Sequence, residues 1–150
     1  MALVVSKARP ADLHRVGARA TRQVAGRFMA QPDMPAIAVS LCENAWSLLD
    51  AERLFGVCGF VILRPGHAVC WAMFDDHVRA VPVHGLTGVI RKRIWVEMHQ
   101  AGLRRLESTV DVHDRQALRW ARIVGFEIEG LMRKSGIDAQ DQWLIARIME

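Results

Sequence analysis

Four short stretches decide how this chain folds. They are Arg105-Leu106-Glu107-Ser108-Thr109-Val110, Asp114-Arg115-Gln116-Ala117, Gly125-Phe126-Glu127-Ile128-Glu129-Gly130-Leu131-Met132-Arg133 and Asp141-Gln142-Trp143-Leu144. The spacing predicts a strand over Leu103–Val110. A helix follows over Asp114–Val124, with Ala117, Trp120, Ala121 and Val124 turned inward. Gly125 suits the end of that helix, where a left-handed residue closes the last turn. Phe126 then enters a strand reaching Met132, and Gln142–Ile148 forms the closing strand. Asp114 is a natural helix cap.

Upstream, Ala68–Phe74 is an apolar strand and Val83–Ala101 reads as a helix. Leu86, Ile90, Ile94, Met98 and Ala101 lie on its inner face, while Arg91, Lys92, Arg93 and Gln100 face out. Gly102 is its C-cap. Two strands flanking one helix predict a parallel β-α-β crossover. Ala45–Leu49, Leu54–Leu63 and Ala68–Phe74 read as an antiparallel meander, with turns at Asp50–Arg53 and Pro65-Gly66. Asp75–Pro82 reads as a polar loop. At the start, Leu3–Ala8 is a strand and Pro10 opens a helix, its first turn complemented by Asp12. Leu13, Val16, Ala20, Val24 and Phe28 form that helix's apolar stripe. Asp33 and Pro35 start a second, shorter helix reaching about Glu43. The expected fold is α/β (α+β): a mixed seven-stranded sheet with helices on both faces, in the order β-α-α-β-β-β-α-β-α-β-β. We expect one domain over residues 1–150.

Composition narrows the function. The chain has 150 residues, 51% of them hydrophobic and 24% charged, which excludes intrinsic disorder. No apolar run is long enough to span a membrane, and no signal peptide is visible at the start. The expectation is a soluble cytoplasmic domain. Twenty Lys and Arg against sixteen Asp and Glu give only a mild positive balance. The run Arg91-Lys92-Arg93 can be a phosphate or nucleic-acid patch, or simply the solvated face of a helix. Without aromatic interleaving the second reading is preferred, and nucleic acid is not an expected partner. Cys42, Cys58 and Cys70 lack a C-x-x-C pair and read as reduced thiols, Cys58 and Cys70 as buried strand residues. The six histidines show no ligand spacing, so no metal is expected. Trp46, Trp71, Trp95, Trp120 and Trp143 can be packing residues, an apolar acceptor groove or an interface. Trp95 lies off its helix's apolar stripe and is the preferred interface candidate.

The four opening stretches resemble the C-terminal half of the GNAT acetyltransferase superfamily, whose pattern runs N-x-x-A, then G-F-x-x-E-G-x-x-R, then D. The element order matches that fold along the whole chain. Phe55-Gly56-Val57, Trp71-Ala72-Met73-Phe74, Arg104–Glu107 and Arg119–Phe126 are also similar to GNAT-like proteins of tailed bacteriophages, some of them internal virion proteins. The resemblance implies an acetyl-CoA-dependent N-acetyltransferase acting on a primary amine of a small molecule or protein. Its alternative is a catalytically degenerate GNAT-like phage protein that serves as a virion component or protein-binding module. A homo-oligomer or a phage or host protein partner would fit either.

The superfamily binds pyrophosphate with a [Q/R]-x-x-G-x-[G/A] loop before a helix. The corresponding stretch here is Val78-Arg79-Ala80-Val81-Pro82-Val83-His84-Gly85-Leu86-Thr87-Gly88, in which that motif is not intact. Gly85 and Gly88 can allow close approach of a phosphate, or can let the helix pack tightly on the sheet. Arg79 and His84 can neutralise phosphate, with Phe74 and Thr87 alongside. Asp114 stands where the family carries an Asn near CoA, and reads either as a ligand neighbour or as a cap. The family's thiolate-protonating tyrosine falls on Ala121, and the chain has no tyrosine. Ser108, His113 or water would take that role. Glu107 and Asp75 are the candidate general bases.

Overall fold

The computed structural model describes residues 3–19 and 29–149. The elements are β1 (Leu3–Lys7), α1 (Pro10–Arg19), α2 (Met34–Leu41), β2 (Ala45–Asp50), β3 (Arg53–Arg64), β4 (His67–Phe74), α3 (Val83–Val89), α4 (Trp95–Gln100), β5 (Arg105–Asp111), α5 (Arg115–Val124), β6 (Glu127–Met132) and β7 (Gln142–Ile148). Short 3-10 turns cover Cys42–Asn44 and Asp76–Ala80, the second lying in the stretch expected to be loop. The strands form one seven-stranded sheet in the order β1-β2-β3-β4-β5-β7-β6. β4 and β5 are parallel, as the crossover predicts, while β1–β2, β2–β3, β5–β7 and β6–β7 are antiparallel. Among the described residues, no helix is long and apolar enough to cross a membrane. The chain divides into two compact units: Met1–Val61 with Trp71–Leu86, and Ile62–Cys70 with Thr87–Glu150.

In the first unit, Pro10 opens α1 and Asp12 sits in its first turn. Leu13 and Val16 are fully buried; Ala20, Val24 and Phe28 of the expected stripe lie outside the described residues. α1 and α2 share a core of Leu13, Val16, Met34, Ala38, Leu54 and Val57, with Trp71 and Met73 packed against it. β3 is buried from Leu54 to Phe60, but Val61, Ile62 and Leu63, which continue the apolar run, are exposed rather than buried as that run suggests. Gly56 is required by close approach: a Cβ there would stand 2.5 Å from the Phe74 ring. Asp12 is itself buried. Its carboxylate accepts from Arg9 N at 3.1 Å and from Ser47 Oγ at 2.9 Å. Burial pushes this carboxyl up, but the Ser47 and Arg9 hydrogen bonds outweigh it and hold it below its usual range.

In the second unit, α5 ends as its sequence indicates. Gly125 adopts φ +115°, and Phe126 N bonds Ala121 O at 3.0 Å. Phe126 is buried and meets Trp95 edge-on, with ring centroids 5.7 Å apart. Trp95 is therefore a core residue, 7% exposed, and not the surface interface that helical spacing suggested. Its Nε1 donates to Val124 O at 3.1 Å, and the Arg147 guanidinium lies 5.1 Å from its ring centroid. The cause is a π-helical turn over Ile90–Ile94. The wider turn takes up an extra residue, so Ile94 and Trp95 both turn inward. Beyond it the register has moved, and Ala101 is exposed instead of buried. Cys58 is buried as expected, and so is Cys42, but Cys70 is only half-buried. Burial raises the Cys58 thiol to about 12.

Candidate functional site

Phe74, Asp75, Arg79, His84 and Gly85 belong to the first unit; Thr87, Gly88, Glu107, Ser108 and Asp114 belong to the second. The chemistry is built separately in each.

The start of α3 is the most informative place. Its first intrahelical bond runs from Leu86 N to Pro82 O at 3.1 Å. The N–H groups of Val83, His84 and Gly85 thus occupy the first turn, which has no acceptors of its own. Pro82, at the cap position, has no side-chain oxygen to offer, and the first turn holds no acidic residue. Among the described residues, a Cβ at Gly85 would meet only the Leu3 side chain, in ordinary contact at 3.6 Å, and one at Gly88 would meet nothing within 4 Å. Tight packing therefore does not explain either glycine. Thr87 is 7% exposed, and its Oγ1 has no hydrogen-bond partner among the described residues. Arg79 and His84 are exposed. First-turn N–H groups without an intrahelical acceptor, and without an acidic residue beside them, suit an anion at a helix start.

At the end of β4, Phe74 stacks on Phe55 with centroids 6.4 Å apart. Asp75 follows with a buried side chain. Its Oδ1 accepts from His77 N at 2.9 Å, while Oδ2 lies 3.8 Å from the guanidiniums of both Arg19 and Arg53 without a hydrogen bond. His77 Nε2 lies 2.8 Å from Asp50 Oδ2. Sequence reading missed this Asp50–His77 pair, because nothing local links residues so far apart. Trp71 Nε1, also on β4, is buried and lacks an acceptor among the described residues.

In the second unit, β4 and β5 pair through His67–Arg105, Ala68–Leu106 and Val69–Glu107, and the register ends there. Just beyond, Ser108 Oγ donates to Cys70 O at 2.9 Å. Glu107 Oε1 lies 2.9 Å from both Arg105 Nε and His67 Nε2. Burial raises the Glu107 carboxyl, but Arg105 and His67 outweigh it and bring it below its usual range. Arg105 also reaches Glu129, and the hydrogen bonds it donates first to Glu129 and then to Glu107 push its guanidinium up. Asp114 is a cap: its Oδ1 accepts from Ala117 N at 3.0 Å. Ala121, at the family's tyrosine position, is buried.

The sequence matches no protein-family model, and no curated protein matches it. Solved structures do match. Ard1 from Thermoplasma volcanium superimposes with a TM-score of 0.79 over 100% of this chain and 99% of its own, at 14% identity. An acetyltransferase of GNAT family from Streptococcus pneumoniae gives 0.72 over 99% and 100%, at 16% identity. The ribosomal-protein-S18-alanine N-acetyltransferase from Escherichia coli gives 0.73 over 99% and 95%, at 16% identity. At such identities the likeness is one of fold, and the fold is that of the GNAT acetyltransferases.

Proposed function

We propose that this chain, which has the GNAT acetyltransferase fold, is a single-domain N-acetyltransferase that uses acetyl-CoA to acetylate a primary amine. The observation that carries the reading is the start of α3. Its first-turn N–H groups have no intrahelical acceptor, the cap residue is a proline, and a Cβ at Gly85 would make no more than ordinary contact among the described residues. Those N–H groups would hold the pyrophosphate, with Arg79 and His84 supplying positive charge.

Bound acetyl-CoA supplies a thioester as acyl donor. The chain's part is to take a proton from the amine and deliver one to the leaving sulfur. Glu107 stays ionised, but its charge is engaged by Arg105 and His67, so it is a weak proton acceptor and a fixed anion. Asp75 keeps one carboxylate oxygen without a hydrogen bond and is the other candidate base, its charge facing the Arg19 and Arg53 guanidiniums at 3.8 Å. Ser108 must release Cys70 O before its hydroxyl can protonate sulfur. Asp114 supports its own helix and is assigned no ligand.

A second reading has one observation in its favour. The chain contains no tyrosine, and a buried alanine fills the position of the usual acid. That would suit a non-catalytic GNAT-like module, of the phage-protein type, working through a protein partner. Thiol release from acetyl-CoA in the presence of spermidine and of a peptide with a free N-terminal amine separates the two. The proposal expects thiol release with acetylated amine confirmed by mass spectrometry. Acetyl-CoA binding without turnover on any amine would favour the second reading.

A further inference from the structure

The geometry points to a docking surface for a nucleic-acid backbone on the second unit, where the solvent face of α5 meets the π-helical turn before α4. The run Arg91-Lys92-Arg93, read alone, was an ordinary solvated helix face. The structure places a second cationic row beside it. Arg115, Arg119 and Arg122 are all exposed on α5, spaced four and three residues apart and so along one side of that helix. Arg91 Nη2 donates to Ile123 O at 2.6 Å, which fixes the π turn against the last turn of α5. Lys92 and Arg93 are exposed beside it. Burial first, and then the nearby charge of Arg91, lower the Arg147 guanidinium, as expected where like charges gather.

Two carboxylates stand close. Glu97 pairs with Arg93 at 3.0 Å, and Asp114 caps α5 next to Arg115. Lys92, Arg115, Arg119 and Arg122 have no carboxylate partner among the salt bridges of the described residues. Five of the six cations are arginine, whose planar fork suits phosphate oxygens. Arg115 to Arg122 spans about 10 Å of helix axis and forms a continuous line of positive charge. Every nucleotide of a strand carries a phosphate to lie against it, whereas an extended acidic peptide turns alternate side chains away. This surface is independent of the acetyl-transfer reading.

The test is fluorescence anisotropy of the full chain with a labelled 30-nucleotide single strand of RNA or DNA and a matched duplex, across a salt series. Log affinity should fall linearly with log salt. R119Q/R122Q should lower the steepness by about two contacts' worth, which corresponds to roughly 20- to 60-fold weaker binding near 0.1 M salt. R15Q/R64Q, the same charge change on exposed arginines elsewhere, should keep the wild-type affinity within a few fold. Unchanged circular dichroism and Tm confirm that the variants fold. Absence of binding at 50 mM salt would overturn the proposal, as would equal loss in both double variants. Tighter binding to poly-glutamate of equal charge would assign the surface to an acidic protein instead.

Discussion

The starts of α3 and α5 solve the same problem in opposite ways. Every helix begins with N–H groups that have no partner within it. At α5 the chain supplies one: Asp114 accepts from Ala117 N at 3.0 Å. At α3 a proline occupies the cap position, no carboxylate lies in the first turn, and Gly85 brings no side chain to it. A third start, at α1, lies at the closed extreme, with Asp12 buried and bonded to Arg9 and Ser47. A helix start that the chain completes is structural. One that it leaves incomplete is available to an anion from outside, and this is the physical basis for placing the pyrophosphate at α3.

The comparison can be broken most severely by Trp95→Ala. Trp95 is buried against Phe126 and donates to the last turn of α5. Urea denaturation should show a loss of about 3–5 kcal/mol. A loss under 1 kcal/mol would mean that the π turn does not seat this ring.

Asp12→Asn comes next and tests the closed extreme. It should cost about 2 kcal/mol at pH 7, because a charged acceptor of two hydrogen bonds is lost. The Asp12 carboxyl is held below its usual range in the fold. Its contribution is therefore complete above the unfolded carboxyl's range and is lost as pH falls through the folded value. The gap between wild type and variant should close on acidification; a gap that widens in acid would contradict the assignment.

Pro82→Asp gives α3 the cap that α5 already has. Acetyl-CoA affinity should fall about tenfold through competition for the same N–H groups, while stability holds or rises slightly. Equal affinity in both proteins would remove the basis for the comparison. The smallest effect is expected from Asp114→Ala, about 1 kcal/mol of stability with acetyl-CoA affinity intact. A large drop in affinity would instead make Asp114 part of the ligand site.

The order of elements along the chain and several helix ends were readable because their signals are local. Pro65-Gly66 marks a turn, Gly125 a left-handed helix end, and unbroken apolar residues the strand β3, though only its first part is buried. Trp95 was misplaced because a π turn shifts helical phase without leaving a residue signature. Among the site residues, the cap role of Asp114 follows from its position before a helix. The ion pairs of Glu107 with His67 and of Asp50 with His77 depend on strand register and packing, which no short spacing encodes. What faces Gly85 and Gly88 was equally hidden, since a glycine in a sequence looks the same whether a neighbour or empty space faces it.

The central claim is tested most directly by calorimetric titration of acetyl-CoA into the full chain, beside a Gly85→Glu variant that puts a carboxylate in the first turn of α3. The account predicts micromolar binding to the wild type. It predicts binding weakened by about a hundredfold or more in the variant, whose Tm stays level because an acidic residue suits a helix start. No heat and no thermal shift at millimolar acetyl-CoA, or equal binding to both proteins, would contradict it.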